Sequence, residues 1–301
     1  MTAVRTLSNV APLASKSARQ LRVVQASTTP VANPTVQNQH VAPTLERRLV
    51  RLFGVDVSDT TLRTAAEWMV NCAQQRIEQT VSFLNAHCVN VMYSEPHYRA
   101  AVQSSSCVFA DGAGISIAAR STGTKLKDNV NGTDLFPIVC ELAAKSGTSI
   151  FLLGGRPGLT AKTAMRMMAS YPGLSIAGSH HGYFTTAEEE RQVIQNINKT
   201  KPGILLVGLG VPTQELWINR NRARLDVPVV AGVGGLFDYY SGRIPRAPRA
   251  LRAAGLEWLW RLTMEPRRLA KRYLVGNIAF LSRLAWYRLS ASRDFCVDAK
   301  A

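Results

Sequence analysis

The sequence predicts an α/β fold, a mainly parallel sheet with helices on both faces, of the Rossmann-like type. From about residue 50 onward, short apolar runs alternate with longer segments of helical periodicity. This alternation is typical of strand–helix–strand units in a parallel sheet. The runs are nearly continuous in apolar residues rather than apolar at every second position, which indicates strands that are buried on both faces.

Six runs and six helical segments make up the predicted sheet and its covering layers. The predicted strands are residues 81–84, 107–110, 149–153, 174–177, 204–207 and 229–233. The predicted helices are residues 60–76, 96–103, 133–145, 159–170, 187–199 and 213–224. In a sheet of this kind, ligands bind at the carboxyl ends of the strands.

The character of the sequence changes after Tyr240. Residues 243–289 are rich in Arg, Trp and Leu, and apolar residues recur there at helical spacing beside a cluster of cations at residues 267–272. A basic amphipathic helix of this kind suits an anionic membrane surface. We therefore expect a disordered leader (1–45), an α/β catalytic domain (46–242) and a basic C-terminal, membrane-associating helical appendage (243–301).

The composition excludes an intrinsically disordered protein, because 46% of the 301 residues are hydrophobic and a sizeable core can be buried. The net charge of +16 is concentrated at the ends: it is +5 for residues 1–50, +2 for 51–242 and +9 for 243–301. Basic ends on a near-neutral body suit an anionic partner, which leaves nucleic acid, anionic lipid and a phosphorylated substrate as alternatives.

Neither a transmembrane helix nor a disulfide framework is expected. No run of about 18 apolar residues occurs. Residues 1–45 contain no Asp or Glu and lack the apolar stretch of a secretory signal, so a disordered leader is the simplest interpretation and a transit-like segment the alternative. The five cysteines show no CxxC spacing, which favours structural thiols in a reducing cytosol.

Polar and glycine clusters follow the predicted strands at the ends where a ligand is expected. Glycine lets the backbone turn tightly or approach a ligand closely. Helices that start after such turns direct free N–H groups and positive dipole ends toward the same crevice, which suits a diphosphate. The clusters are Asn85, Asp111-Gly112, Gly154-Gly155, Gly208-Leu209-Gly210 and Gly232-Val233-Gly234-Gly235.

Asp111, in the string FADGAGIS, is the first candidate for chemistry. A carboxylate at the end of a buried strand is partly desolvated, which raises its pKa and makes it a better base. The alternative is an Asp that caps the next helix. Asn85 either hydrogen-bonds a substrate hydroxyl or closes an Asx turn, and nearby His87 is interpreted as structural.

Other strings carry weaker signals. The GLG turn lacks the third glycine of a dinucleotide motif, and GGRPGLTAK has the wrong spacing for a P-loop. Gln214 and Glu215 open a helix after the GLG turn and either are ordinary first-turn residues or reach the ligand. No Asp-x-Asp pair occurs, so a metal-clamped diphosphate is not suggested. Arg243, Arg246 and Arg249 either neutralise a diphosphate or form a solvated basic face.

Taken together, these strings resemble the WecG/TagA/CpsF family of bacterial glycosyltransferases over about residues 48–285. The matching strings, in order, are FLNAH, ADGAGI, NGTDL, FLLGG, LLVGLGVPTQELW, GVGGLFDYYSGRIPRAP and GLEWLWRLTMEPRRLAKRY. The resemblance implies transfer of a sugar from a UDP-sugar to a polyprenyl-diphosphate-linked saccharide, with inversion and without a metal or other cofactor. It also implies a cytoplasmic enzyme bound peripherally to the inner face of the plasma membrane.

The resemblance also assigns roles to individual residues. Asp111 matches the proposed base of the family's DG motif, Asn85 the Asn of its TxN motif, and Gln214 the Gln of its P-x-Q-E motif with Glu215 beside it. Arg246, Arg261 and Arg267 match basic residues implicated in closing over the diphosphate and touching the membrane. The further predicted substrate-binding residues are Asn131, Gly132, Gly154, Gly155, Gly208, Gly210, Gly232, Gly234 and Asp238.

Two departures from the family's pattern bear on the donor. Phe83 replaces the Thr of TxN, and Asn129 stands where an Arg often precedes the VxG motif. We therefore favour glucose over N-acetylmannosamine as the transferred sugar, in exopolysaccharide or other cell-surface polymer synthesis. The competing functions are a basic nucleic-acid-binding protein, disfavoured because the body lacks an aromatic-plus-basic recognition string, and a non-catalytic scaffold of polysaccharide assembly. The oligomeric state is left open, a homo-oligomer included.

Overall fold

The computed structural model of the protein describes residues 43–298, except the side chains of residue 253 and of residues 291–298. The predicted leader therefore lies outside the described residues up to position 42. Within the described range, the strands are β1 Arg48–Leu52, β2 Val55–Asp59, β3 Gln79–Leu84, β4 Cys107–Ala110, β5 Ile150–Gly154, β6 Ile176–His180, β7 Ile204–Gly208 and β8 Val229–Gly232.

Thirteen α-helices are found in the same range. They are α1 Leu62–Gln74, α2 Ala86–Ser94, α3 Pro96–Gln103, α4 Ala113–Ser121, α5 Gly132–Ser146, α6 Leu159–Ser170, α7 Ala187–Thr200, α8 Thr213–Asn221, α9 Leu236–Tyr240, α10 Arg249–Ala253, α11 Glu257–Met264, α12 Pro266–Ala270 and α13 Gly276–Asp298. A 3₁₀ turn, Arg222–Arg224, follows α8, and a π-helical turn, Lys271–Val275, joins α12 to α13.

The strands form one sheet in the order β1-β2-β4-β3-β8-β7-β5-β6. All neighbours pair in parallel except β1 and β2, which form an antiparallel hairpin at one edge. The predicted α/β class with a mainly parallel sheet is therefore confirmed. The carboxyl ends of β2 to β8 therefore lie along the same side of the sheet. One half of the sheet, β1-β2-β4-β3, meets the other half, β8-β7-β5-β6, where β3 pairs with β8.

Both faces of the sheet are covered, as the continuous apolar runs predict. One core cluster lies between the sheet and helices α1, α5, α6 and α9. The other face carries two clusters, one under α2, α3, α4 and α13 and one under α7 and α8. Adjacent residues such as Leu152 and Leu153 belong to opposite faces, and neither is exposed. Strands of this kind have no solvent side, because helices cover both sides.

The C-terminal helices pack against the α/β body. Phe280 and Leu284 of α13 are buried in the cluster under α2 and α4, and the ring of Phe280 lies 5.8 Å from that of Phe53. Asn90 on α2 donates from Nδ2 to the Gly276 carbonyl at 2.7 Å. Among the described residues, no helix is both long enough and apolar enough to cross a membrane. The predicted division of the chain at residue 242 stays a prediction.

Candidate active site

The two predicted catalytic residues lie side by side at the carboxyl ends of β3 and β4. The parallel register pairs Leu84 with Ala110, so the residues that follow each strand, Asn85 and Asp111, are neighbours. Asn85 Nδ2 donates to Asp111 Oδ2 at 2.9 Å. The backbone N–H of Asp111 donates to the Leu84 carbonyl at 2.8 Å. The sheet therefore holds the carboxylate and the amide as one unit.

Asn85 uses both ends of its side chain. It is the N-cap of α2, and its Oδ1 accepts a hydrogen bond from the Cys88 N–H at 3.1 Å. This bond is a helix cap rather than the Asx turn considered for Asn85, and it satisfies one of the free N–H groups at the helix start. Because the cap occupies Oδ1, the amide nitrogen is turned toward Asp111.

Asp111 is not a helix cap, which removes the structural alternative considered for it. The N-cap of α4 is Gly112, whose φ of 87° suits a residue without a Cβ, and no side chain caps that helix. Asn129 Oδ1 accepts the Gly112 N–H at 2.6 Å and so fixes this turn. The half-buried side chain of Asp111 therefore has no capping role and is available to a ligand in the crevice.

The surroundings of Asp111 push its pKa in opposite directions. Burial raises the pKa of Asp111, because desolvation disfavours the carboxylate. The hydrogen bond from Asn85 and the positive charges of Arg272 and Arg261 lower it, and Asp134 raises it slightly. The net direction is upward. A carboxyl group with a raised pKa that still has stabilising partners for its ionised form is suited to accept a proton.

The glycines at the strand ends are of two kinds. A Cβ on Gly154 would lie 2.4 Å from the Gly208 carbonyl oxygen, and one on Gly208 would lie 2.7 Å from the Gly234 oxygen. Close backbone packing therefore requires glycine at these positions. At Gly210 and Gly234, with φ of 81° and 56°, a Cβ would meet nothing within 4 Å. These two turns border open space. Gly155 differs from both kinds: a Cβ there would make an ordinary contact 3.5 Å from Leu159, and its φ of 69° is what favours glycine, while its N–H donates to the Gly208 carbonyl at 3.0 Å.

The predicted binding residues Gln214 and Glu215 are buried, each 3% exposed. Gln214 Oε1 accepts the N–H groups of Gly234 at 2.9 Å and of Gly210 at 3.3 Å. Its Nε2 donates to Glu215 Oε1 at 2.8 Å. A Cβ on Gly232 would lie 2.9 Å from Gln214 Nε2. The side chain of Gln214 thus supports the glycine turns from behind.

Asn131 and Gly132 start helix α5 beside the crevice. Asn131, 6% exposed, caps the helix: its Oδ1 accepts the Asp134 N–H at 2.8 Å, and its Nδ2 donates to Asp134 Oδ2 at 2.7 Å. Arg246 Nη2 donates to the other carboxylate oxygen of Asp134 at 2.7 Å. A Cβ on Gly132 would contact the Phe83 ring at 3.7 Å. These residues build the wall of the crevice between β4 and the C-terminal helices.

Ion pairs hold Arg243 and Arg246, two of the arginines that follow β8. Arg243 binds Asp238 at 2.7 Å, so both members of that pair have a partner within the chain. Arg261, on α11, is different. Its guanidinium lies over the Tyr239 ring at 5.2 Å, one of its terminal nitrogens lies 2.8 Å from where a Cβ of Gly235 would be, and its buried Nε has no hydrogen-bond partner among the described residues. Arg261 therefore brings positive charge to the glycine turn after β8.

These parts lie in a row along the carboxyl ends of the strands, which we take as the candidate crevice. Three strand spacings separate β4, which ends at Asp111, from β7, which ends at Gly208, a span of about 14 Å. The crevice has a carboxylate at one end, glycine turns along its length and guanidinium groups above it. An extended anionic ligand with its reacting atom next to Asp111 suits that layout.

The model of the family described as "Glycosyl transferase WecG/TagA/CpsF family" matches residues 50–294. The chain belongs to this family. It is also 32% identical, over 173 residues, to an N-acetylglucosaminyldiphosphoundecaprenol N-acetyl-beta-D-mannosaminyltransferase of Bacillus spizizenii. That match covers 58% of this chain and 66% of the relative, slightly less than two thirds of its length. The predicted family and the predicted enzyme class, a glycosyltransferase, are therefore confirmed.

One cation of this WecG/TagA/CpsF family member was missed by the sequence analysis. Arg272 lies in the π-helical turn, and its charge acts on both Asp111 and His87. Burial and the charge of Arg272 lower the pKa of His87 to about 4, so this imidazole is neutral near pH 7. Arg267, which the resemblance indicated, is exposed on α12. The basic string at residues 267–272 could have suggested a cleft-facing arginine, but it was interpreted as a membrane-facing cluster.

Metal binding by this family member stays an open question. Among the residues whose side chains the structure describes, no three His, Cys, Asp or Glu are grouped so that they could hold a metal ion. Four of the cysteines, Cys72, Cys88, Cys107 and Cys140, are buried and carry free thiols. Metal-independent transfer therefore remains a prediction that rests on the family resemblance.

Proposed function

We propose that the chain transfers a sugar from a UDP-sugar to a polyprenyl-diphosphate-linked saccharide, with Asp111 as the general base. The observation that carries this proposal is the carboxylate held by Asn85 at one end of a glycine-lined crevice. Asn85 binds Oδ2, and no described residue donates a hydrogen bond to Oδ1. That oxygen is available for a proton from the acceptor hydroxyl.

The proposed reaction is a single displacement. The acceptor hydroxyl gives its proton to Asp111 and attacks the anomeric carbon from the face opposite the UDP group, so the configuration inverts. The bond between the sugar and the diphosphate breaks, and UDP departs with the bonding electron pair. Arg261 and Arg272 supply positive charge beside the leaving group, where negative charge develops in the transition state.

The relative from Bacillus spizizenii supports the acceptor class and one donor. Its name specifies an N-acetylmannosaminyltransferase that acts on N-acetylglucosaminyl-diphosphoundecaprenol. The case for glucose rested partly on Phe83, but this side chain is buried and packs 5.9 Å from the Phe109 ring. The departure at Phe83 is therefore a change in core packing. We propose UDP-N-acetylmannosamine as the first donor to test and UDP-glucose as the second.

A lipid-linked acceptor requires the enzyme to reach the membrane. The π-helical turn and α13 expose a set of large apolar side chains between 53% and 69%: Leu274, Val275, Ile278, Leu281, Trp286 and Leu289. Arg267, Arg268 and Lys271 precede them and are exposed too. Apolar side chains beside cations are the pattern of a helix that lies in an anionic lipid interface. We propose that this surface holds the crevice close to the polyprenyl carrier.

The deciding experiment is a transfer assay with the purified full chain. Each UDP-sugar is supplied with polyprenyl-diphosphate N-acetylglucosamine, with and without EDTA, and both UDP release and the lipid-linked product are measured. Asp111→Asn should keep UDP affinity within about twofold and lose at least about a hundredfold in kcat, because the amide cannot accept the proton. Asp226→Asn is the matched control, since Asp226 is exposed next to β8 at the opposite edge of the sheet.

Two results would contradict the proposal. An Asp111→Asn variant that turns over at the wild-type rate would remove the base. Wild-type protein that binds none of the UDP-sugars and releases no UDP with any acceptor would remove the reaction class. Loss of activity in EDTA, with recovery on adding Mg²⁺, would overturn only the expected metal independence.

A further inference from the structure

A single glutamine side chain ties together the turns that follow β7 and β8. Gln214 Oε1 accepts the N–H of Gly234 from one turn and the N–H of Gly210 from the other, at 2.9 and 3.3 Å. The same side chain lies across Gly232, where a Cβ would come within 2.9 Å of Gln214 Nε2 and displace the amide. The positions of both open glycine turns therefore depend on how one amide is oriented.

That orientation is set by the next residue in the chain. Two N–H donors require the oxygen of the Gln214 amide, and not its nitrogen, to face the turns. The nitrogen then needs an acceptor, and Glu215 Oε1 supplies it at 2.8 Å. Without this acceptor, the buried amide nitrogen has an unsatisfied N–H, and the side chain loses the contact that holds it in place against the two turns.

The ordinary roles of an acid in a first helical turn do not explain Glu215. It is the third residue of α8, a position from which an acid commonly reaches back to the N–H of the N-cap. The N-cap here is Pro212, which has no N–H. Glu215 is 3% exposed, and its Oε2 has no hydrogen-bond partner among the described residues. An apolar side chain of similar size would avoid the cost of burying this carboxyl group.

We propose that Glu215 is a positioning residue: its buried carboxyl group fixes the Gln214 amide, and the amide holds the turns at Gly210 and Gly234 in the geometry that binds the nucleotide-sugar. Glu215 itself touches neither donor nor acceptor. The inference rests on the proposed function, because it takes these two turns to be the walls of the donor site. Burial raises the pKa of Glu215 to about 7, which is consistent with a carboxyl group enclosed in the protein.

The test compares two substitutions that loosen the amide with one that preserves it. Glu215→Leu removes the acceptor, and Gly232→Ala pushes the Gln214 amide from the other side while Glu215 stays in place. Glu215→Gln retains an acceptor oxygen and is the conservative rescue. Glu190→Gln is the matched control, because Glu190 is a partly buried acid on α7 that binds Arg220, outside this network.

Two readouts separate positioning from a merely structural role. Hydrogen–deuterium exchange of residues 208–214 and 232–236 should be about tenfold faster in Glu215→Leu and Gly232→Ala and unchanged in the other two variants. The Kd for UDP should weaken roughly five- to tenfold in the same two variants, with a rise in KM for the UDP-sugar larger than any fall in kcat. Glu215→Gln should stay within about twofold of wild type in every measurement.

The two proposals fail in different ways. A wild-type protein without UDP affinity would refute the proposed function, while the exchange data would still report on the Gln214 network. Wild-type transfer activity combined with normal exchange and normal UDP affinity in a folded Glu215→Leu variant would overturn the positioning role alone. If Glu215→Leu does not fold, the test depends on Gly232→Ala. Hydrogen–deuterium exchange of residues 208–214 and 232–236 at the wild-type rate in that variant would overturn the inference. A Glu215→Gln variant as impaired as Glu215→Leu would also overturn it.

Discussion

Glu215 should make the protein less stable as the pH rises, and replacing it with Gln should remove that dependence. Burial raises the pKa of this carboxyl group from its ordinary value of 4.5 to about 7. The folded state then binds the proton more tightly than the unfolded state. Ionisation therefore costs stability once the pH exceeds 4.5, and the cost levels off above pH 7. For these two pKa values, the cost grows by about 2.5 kcal/mol between pH 5 and pH 8.

Urea unfolding followed by tryptophan fluorescence measures this effect at pH 5, 6, 7 and 8. The free energy of unfolding of Glu215→Gln relative to wild type should increase by about 2.5 kcal/mol over this range. The buried neighbours do not interfere: burial raises the pKa of Cys88 to about 12 and also raises that of Tyr98, so both stay neutral. Titration of His87, whose pKa is lowered to about 4, is common to both proteins and cancels.

Glu190→Gln calibrates the experiment. Hydrogen bonds from Arg220 and Asn221 lower the pKa of Glu190 despite its partial burial, so this carboxyl group is ionised in both states across most of the range. The free energy of unfolding of Glu190→Gln relative to wild type should therefore be nearly constant between pH 5 and pH 8. The free energy of unfolding of Glu215→Gln relative to wild type could also change by less than about 0.5 kcal/mol over this range, or fall as the pH rises. Either result would mean that the buried carboxyl group of Glu215 is not desolvated as the structure indicates.

Three further expectations concern other parts of the molecule. Arg272→Gln removes a cation that lowers the pKa of Asp111, the proposed base, so the acidic limb of the pH–rate profile should move to higher pH; an unmoved limb would exclude this coupling. Gly154→Ala should lower the free energy of unfolding by about 2 kcal/mol or more, because φ is 129° and the new Cβ would lie 2.4 Å from the backbone oxygen of β7. Gly123→Ala, with φ of 80° and open space, should cost only about 1 kcal/mol in the same denaturation assay. Trp286→Ser should reduce the fraction of protein that sediments with phosphatidylglycerol vesicles several-fold. Leu49→Ser, at an exposed apolar site on β1, should leave this fraction unchanged. Equal effects of the two substitutions would argue against membrane binding through the C-terminal surface.

The parts of the fold that the sequence predicted are those in which one residue pattern determines one structure. The apolar runs identified six of the eight strands in the described range, because strands buried on both faces tolerate few polar residues. The hairpin of β1 and β2 was missed. Its edge strand, Arg48–Leu52, alternates: Val50 and Leu52 are buried, whereas Leu49 and Arg51 are exposed. Only a search for period-two alternation around Phe53 and Gly54 would have found it.

Edge position also explains the shifted boundary of β6. The sequence predicted residues 174–177, whereas the strand is Ile176–His180. This strand has a single neighbour, β5, and all five of its residues are at least partly exposed. Gly178, Ser179 and His180 are therefore tolerated in a strand whose polar end gives no apolar signal. Helices α2 and α4 were missed because each begins within two residues of a predicted site residue, Asn85 or Asp111, in a stretch that was interpreted as a polar turn.

The candidate site was predictable where function depends on a strand end and unpredictable where it depends on contacts between distant turns. Asp111 and Asn85 follow adjacent strands, so the parallel register brings them together. Arg272 reaches the same place only through the packing of the C-terminal helices. The hydrogen bonds of Gln214 join turns that are 24 residues apart in sequence, at positions 210 and 234. Residue type alone does not indicate which of these contacts will form.

The carboxyl groups of Asp111 and Glu215 both have raised pKa values, but they differ in their partners. Asp111 has an amide donor and two guanidinium groups that favour its ionised form. Glu215 has one amide donor and an oxygen without a partner. Desolvation therefore has different consequences at the two sites: the partners of Asp111 partly compensate for it, which suits the proposed exchange of a proton with an alcohol, whereas Glu215 is favoured as a neutral, fixed acceptor. In the proposed mechanism, cations from the C-terminal helices favour the ionised form of Asp111 that accepts the proton, which makes those helices part of the proposed catalytic unit.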